Sequence, residues 1–189
     1  LNTLGKLGGA QYLREEAAWL LDQSLGFELV PLAFVTETQD GEIGAAIWKM
    51  DGIGYPMASG EYAPEWIEKA AVLDYIMAQQ ERGERSHYAT HPDDPMRLVL
   101  TGNGNAFAET DQYPASVFCK AMVGRRLSKG TLDALASAVT DASAWLDISD
   151  LVGKSAVERA QARARQVLDE RAIPGEGQVR KHMGPGDHP

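Results

Sequence analysis

Apolar residues recur at every third or fourth position between residues 11 and 25, and charged residues stand between them. This spacing predicts an amphipathic helix whose polar face carries Arg14, Glu15, Glu16 and Asp22 and which ends at Gly26. The same spacing predicts helices over residues 65–80, 114–123, 132–139 and 155–171. One core is expected to hold eight apolar residues of these segments: Leu13, Ala17, Leu20, Leu21, Leu73, Ile76, Val99 and Phe107.

Other stretches have the composition of strands. Residues 27–38 are rich in Val, Leu, Phe and Thr but contain Pro31, which is tolerated at a sheet edge. A turn signal at 39–41 and apolar residues over 43–50 complete a predicted β-hairpin. Residues 51–64 are predicted as a loop, 91–95 as an irregular connector and 97–100 as a short strand. The prediction is an α+β fold, mostly helical, with four tryptophans expected in its core: Trp19, Trp48, Trp66 and Trp145.

The length and composition fit one folded domain. A chain of 189 residues with 44% hydrophobic content is long enough to bury a core. We predict an N-terminal loop over residues 1–10, the domain over 11–174 and a flexible Gly/Pro-rich tail over 175–189. A chain that begins with Leu1 rather than Met suggests a trimmed product or a piece of a longer protein.

Charge and cysteine usage exclude several classes of partner. The net charge of −9 argues against a nucleic-acid groove or an anionic membrane as the main partner. No run approaches 18 apolar residues, so no membrane span is predicted. Cys119, the single cysteine, has no intramolecular disulfide partner and is expected to be a buried, unreactive thiol. These features predict a cytoplasmic or virion-associated protein.

Residues 72–107 combine an apolar helix end, a polar loop, a strand and an Asn-Gly turn followed by Phe107. This order resembles the C-lobe of the phosphatidylinositol 3-/4-kinase-like family, of the bacterial and phage type. The family's loop reads Asp-Arg-His-x-x-Asn and its turn reads Ile-Asp-Asn-Gly-x-x-Phe. Here Glu81 stands at the loop aspartate, Ser86 at the asparagine and Gly102 at the metal-binding aspartate. The resemblance therefore implies a kinase-like scaffold with a degenerate active site.

The resemblance extends over residues 11–174. The first helix, its Leu-Gly end and Val30-Pro31 are similar to the family, as are residues 127–132 and 158–168. A kinase N-lobe supplies a Gly-rich loop and a strand lysine for the phosphates. Only ten residues precede the first helix here, and Lys6 is their sole lysine, so the N-lobe is expected to be truncated.

The leading functional prediction is a non-catalytic, pseudokinase-like module with no metal and no cofactor. Gly102 has no ligand atom and Ser86 offers a poor one, so magnesium would lack its usual pair of oxygen donors. Residues 182–189 also resemble the Gly-Pro-rich linker of some tailed-phage head proteins. This resemblance implies a structural or docking role in a phage particle, with a protein partner contacted by helix faces and the tail.

Two alternatives retain a nucleotide. An active, divergent kinase would use ATP and Mg²⁺, with Glu81 as base and Glu109 or Asp111 as a metal ligand. A regulatory pseudokinase would bind nucleotide without metal, between walls formed by Val30, Ile47, Met50 and Asn103.

Two further motifs are given a structural role. His87 and His91 lie near Asp93 and Asp94, but a solvated connector is favoured there over a zinc site. A simple turn, with Asn103-Gly104 taking positive φ, is favoured over a phosphate-binding loop. The loop charge of Glu81 is expected to be exposed beside Arg82 and Arg85.

Overall fold

The computed structural model of the protein describes residues 11–37, 41–109 and 112–178. The predicted N-terminal loop at 1–10, most of the turn at 39–41, and the tail from 179 onward lie outside these ranges. The fold is α+β and mostly helical, as predicted. Its helices are α1 (Gln11–Leu25), α2 (Pro64–Ile76), α3 (Val117–Met122), α4 (Lys129–Thr140), α5 (Ala142–Val152) and α6 (Lys154–Glu170). Its strands are β1 (Ala33–Glu37), β2 (Ile43–Ile47), β3 (Tyr88–His91) and β4 (Asp94–Leu100).

The second helix forms the centre of the core. α2 begins at Pro64, whose fixed φ suits a first helical position, and every residue from Ala70 to Ile76 is buried. It ends earlier than predicted because Ala78 takes a left-handed φ of 48°, which a helix cannot continue through. No helix of the described residues is long and apolar enough to cross a bilayer.

Most of the predicted core is confirmed. Ala17, Leu21, Leu73, Ile76 and Phe107 belong to one buried cluster, and partly buried Leu20 packs against it. Two placements are wrong. Leu13 is only half-buried, and Val99 is buried outside this cluster, because the strand alternation directs Leu98 and Leu100 into it instead. Leu98 and Leu100, rather than Val99, therefore belong to the core cluster.

The helices that follow differ from prediction at their ends. α3 is shorter than residues 114–123 because Ser116 caps it, accepting hydrogen bonds from the backbone N–H of Phe118 and Cys119. The pattern did not predict α5. Asp141 starts it by accepting a hydrogen bond from the backbone N–H of Ala144. The helix between residues 155 and 171 is confirmed as α6, with bounds shifted by one residue.

Both sheets are two-stranded antiparallel hairpins. β1 pairs with β2 in a register that sets Ala33 opposite Ile47 and Glu37 opposite Ile43. Of the residues predicted as an irregular connector, 91–95, two form the turn at 92–93, and the others end β3 and begin β4, with a register shift after Thr90. Within the described residues neither hairpin has a third strand.

The tryptophans are not all core residues. Trp145 is buried and donates its indole N–H to the Ala138 carbonyl at 2.8 Å. Trp19 and Trp66 are partly buried against the core. Trp48 is 67% exposed, so its predicted place in the core is wrong. It follows the end of β2, where no described element covers it.

Asp22 is buried, although the α1 pattern placed it on the polar face. Its carboxylate accepts hydrogen bonds from the backbone N–H of Leu29 at 3.0 Å and of Val30 at 3.1 Å. These bonds hold the chain as it leaves α1 and approaches Pro31. Burial raises the pKa of Asp22 from 3.8 to about 6, and the two backbone hydrogen bonds oppose that rise.

We expect the Asp22→Asn variant to gain stability relative to the parent protein as the pH rises from 4 to about 6. The folded state holds the Asp22 proton more tightly than the unfolded state, so the parent loses stability as pH rises through this interval. A shift of this size corresponds to about 2–3 kcal/mol. Urea unfolding of both proteins at pH 4, 5, 6 and 7 measures it. A stability difference that stays constant with pH would contradict the raised pKa.

Candidate functional site

Arg82 anchors the loop that the sequence singles out, and it is fully buried rather than exposed. Its Nε donates to both carboxylate oxygens of Asp74, at 2.9 and 2.8 Å. Ser116 Oγ donates to the same carboxylate at 2.7 Å. Burial raises the pKa of Asp74, while the Arg82 guanidinium and the Ser116 hydroxyl oppose the rise. Arginine keeps its proton, and both Arg82 Nε and Ser116 Oγ donate to the carboxylate, so the contacts are those of a buried ion pair.

The same guanidinium fastens the loop to the turn. Arg82 Nη2 donates to Asn103 Oδ1 at 2.8 Å, and Nη1 donates to the Thr101 carbonyl at 2.9 Å and to the His87 carbonyl. All three nitrogens of this side chain thus donate to the protein's own backbone and side chains. The loop and the turn converge, and Arg82 links them.

Glu81, Ser86 and Gly102, the three positions predicted to be degenerate, lie around His87. Gly102 has a φ of 64°, and a Cβ built on it would overlap the His87 imidazole. His87 Nδ1 lies 2.5 Å from the Glu81 carbonyl oxygen, so this nitrogen carries the proton, and 3.1 Å from Ser86 Oγ. The place that a side chain at position 102 would occupy is therefore filled by the ring, and Ser86 Oγ lies against the protonated Nδ1 of that ring as an acceptor.

The Glu81 side chain is exposed to solvent beside these residues. Its carboxylate accepts a hydrogen bond from Asn105 Nδ2 at 2.6 Å, and its backbone N–H donates to Gln79 Oε1 at 3.2 Å. Asn105 in turn accepts a hydrogen bond from Gln11 Nε2 at 3.2 Å. The Glu81 side chain is thus held against the turn by neutral amides.

The turn itself is a short 3-10 helix, Asn103–Asn105. Positive φ falls on Gly102 and Phe107, not on Asn103 or Gly104 as predicted. The Gly104 backbone N–H donates to Glu15 Oε1 at 2.9 Å, so an α1 carboxylate closes the turn. Burial raises the pKa of Glu15, and hydrogen bonds from Asn103 and Gly104 oppose the rise. A phosphate oxygen has no open cradle of N–H groups here.

The proposed nucleotide walls leave little room. Val30, Ile47 and Asn103 border one cavity, together with Glu15 and Gly102, but its volume is only about 30 Å³. That volume is close to the space of one water molecule, whereas sites for drug-sized ligands have about 300–1,000 Å³. Met50 does not line the cavity. A larger depression of about 410 Å³ is lined by the loop itself, including Glu81, Ser86 and His87, and by Lys120.

The remaining candidates have structural partners. His91 Nδ1 accepts a hydrogen bond from the Asp93 backbone N–H at 3.2 Å within the β3–β4 turn. Cys119 is buried, its thiol donates to the Ala71 carbonyl, and burial raises its pKa. Glu109 is exposed, and Asp111 lies outside the described residues. Across residues 11–37, 41–109 and 112–178, no group of three His, Cys, Asp or Glu side chains is placed to hold a metal ion.

No protein-family model matches this chain, and no curated protein matches it significantly. The kinase-like relationship therefore rests on the quoted residues and remains a prediction. The buried Asp74–Arg82 pair was missed by sequence reasoning, although Asp74 stands alone among apolar residues in Ala70–Met77. A lone carboxylate in such a run indicates a buried partner, because an unpaired buried charge is costly.

Gly102→Asp is expected to lower the free energy of unfolding by about 1–3 kcal/mol, the usual range for overpacking a filled site. The new side chain must displace the His87 ring. Adding His87→Gly should recover the part of the loss that the ring causes, because it removes the ring and also relieves a non-glycine φ of 62°, whereas the strain of an aspartate at the φ of 64° remains. Urea unfolding of the single and double variants measures both steps. A Gly102→Asp variant as stable as the parent would show that the ring does not block this position.

Proposed function

We propose that this domain is a non-catalytic, pseudokinase-like module that acts by docking to protein. The observation that carries the proposal is the His87 ring over Gly102, at the position where the resembling family places its metal aspartate. Phosphoryl transfer depends on positioning and on neutralising charge with metal ions. A site that places an imidazole in the metal ligand's position gives up both contributions.

The contacts made by the other two degenerate positions, Ser86 and Glu81, support the same proposal. Ser86 Oγ lies beside His87 Nδ1, and the Glu81 carboxylate is held by Asn105. Arg82 donates a hydrogen bond to the Asn103 side-chain amide, so this amide is also occupied within the protein. Gly102 and Asn103 border the cavity of about 30 Å³, and although Glu81 and Ser86 line the depression of about 410 Å³, the Glu81 carboxylate is bonded to Asn105 and Ser86 Oγ lies against His87.

The partner we propose is a protein, and the larger setting a phage particle. The charge of −9 suits a basic or mixed protein surface better than nucleic acid. The particle assignment rests on the Gly/Pro-rich residues 182–189, which resemble head-protein linkers and lie outside the described residues. The described start of the tail segment, Glu176–Gln178, forms a 3-10 turn, and Gln166 Nε2 donates to the Gln178 carbonyl at 2.6 Å.

A phosphotransfer assay tests the proposal. The purified chain is incubated with radiolabelled ATP, Mg²⁺ or Mn²⁺, and generic protein and phosphoinositide acceptors, beside Glu81→Ala and Glu109→Ala variants. We expect the parent to transfer no more phosphate than either variant. Transfer by the parent that is lost in Glu81→Ala would establish the divergent-kinase alternative and overturn the proposal. The Glu109→Ala variant shows whether the alternative metal ligand takes part.

A further inference from the structure

The β1–β2 hairpin carries much of the protein's exposed apolar surface. Ile43 is 59% exposed and Ile47 49%, and Phe34 and Trp48 are exposed beside them. β2 pairs with β1 on one side and with no other strand of the described residues on the other. An exposed apolar edge strand invites pairing with another chain unless it is covered or blunted by charge.

The direction of the backbone groups on β2 follows from one hydrogen bond. The Trp48 N–H donates to the Leu32 carbonyl at 2.7 Å, so Leu32 and Trp48 form a hydrogen-bonded pair. Such pairs alternate along an antiparallel ladder. Ile43, Ala45 and Ile47 therefore direct their N–H and C=O groups away from β1, along the outer edge.

The two edges of the hairpin differ. On β1 the outward N–H of Val35 donates to Glu16 Oε2 at 2.6 Å, so an α1 carboxylate caps that edge. On β2 the centre of the edge is Gly44-Ala45-Ala46, whose small side chains leave the backbone open to close approach. Two-stranded hairpins are marginal by themselves, and sheets of three or more strands are stable. The β2 edge is thus the side on which this sheet can grow.

We propose that β2 pairs with β2 of a second copy of this chain, antiparallel about a two-fold axis at Ala45. Ile43 then faces Ile47 of the second copy, Ala45 faces Ala45, and Ile47 faces Ile43. The three facing pairs form roughly six hydrogen bonds, two for each pair. The result is a continuous four-stranded sheet, and its interface is isologous, as closed dimers require.

Self-complementarity and charge select a second copy as the occupant. The start of β2 is acidic, with Glu42 beside it and Glu37 opposite, and Lys49 follows its end. An antiparallel copy brings each Lys49 toward the acidic end of the other strand, whereas a parallel copy would bring like charges together. This dimer goes beyond the proposed docking role. It depends on the β1–β2 hairpin alone, so the dimer is expected whether or not the protein binds a nucleotide.

Sedimentation velocity of the full chain, from low micromolar to submillimolar concentration, tests the dimer. Ala45→Pro removes an outward N–H without removing a β1–β2 hydrogen bond, and Ile47→Glu sets a carboxylate against the acidic start of the axis-related strand. We expect the parent to dimerise and both variants to lose the dimer. Leu146→Glu, at a residue of α5 that is 64% exposed, is the matched control and should dimerise like the parent.

Circular dichroism of each variant shows that it is folded, and Ile47→Glu decides the question if Ala45→Pro fails to fold. A parent that stays monomeric at every concentration would overturn the proposal. If hydrogen exchange then finds the Ala45 amide protected in the monomer, the edge belongs to a segment of the same chain. A dimer that survives both hairpin variants would place the interface elsewhere and would equally overturn it.

Discussion

Arg82→Ala should lower the free energy of unfolding by about 3–5 kcal/mol, the cost of breaking a buried ion pair by removing one partner. The truncation leaves the Asp74 carboxylate buried with Ser116 as its remaining side-chain partner. It also frees the Asn103 amide and the carbonyls of Thr101 and His87. Urea unfolding followed by circular dichroism measures the loss. Because Arg82 no longer links the loop to the turn, amide hydrogen exchange should accelerate in both segments.

The control for this variant is Arg85→Ala, an exposed arginine of the same loop, which should change stability little. A double variant, Asp74→Asn with Arg82→Met, should cost less than the sum of its single changes, since no buried charge remains uncompensated. Equal losses for Arg82→Ala and Arg85→Ala would mean that the buried pair does not hold the loop.

Leu73→Ala should lower the free energy of unfolding by about 2–5 kcal/mol. Leu73 is fully buried at the centre of α2, where the neighbouring residues on both sides are buried as well. Such a site has little freedom to collapse around the cavity that the change creates. Urea unfolding measures the effect, and Leu146→Ala on the exposed face of α5 is the control. A loss below about 1 kcal/mol would contradict the packing of α2.

The sequence predicted most helices because their apolar spacing agrees with the side that is buried. α1 has the predicted bounds, and α6 differs by one residue at each end. The end of α2 was not predictable, because it depends on a left-handed φ at Ala78. An alanine, unlike a glycine, gives no sign of this conformation in the sequence. α5 was predictable in principle: Asp141 is a capping residue, and the buried Trp145 and Ile148 follow it at helical spacing.

The candidate site was predicted only as an order of segments. The convergence of the loop and the turn follows from that order, but the burial of Arg82 does not, since an arginine in a polar loop is ordinarily exposed. The contact between His87 and Gly102 depends on positive φ at both residues, 62° and 64°, and on tertiary packing across the intervening hairpin. Local sequence does not determine such a contact.

Titration calorimetry of the chain with ATP and Mg²⁺ tests the non-catalytic proposal most directly. We expect no binding in the micromolar range for the parent. A triple variant, His87→Gly with Gly102→Asp and Ser86→Asn, restores the two metal-ligand types and clears the ring from their place, and it serves as the comparison. The predicted result is that the parent protein gives no heat of binding. Micromolar binding by the parent that requires Mg²⁺ would contradict the claim that this site has lost its chemistry.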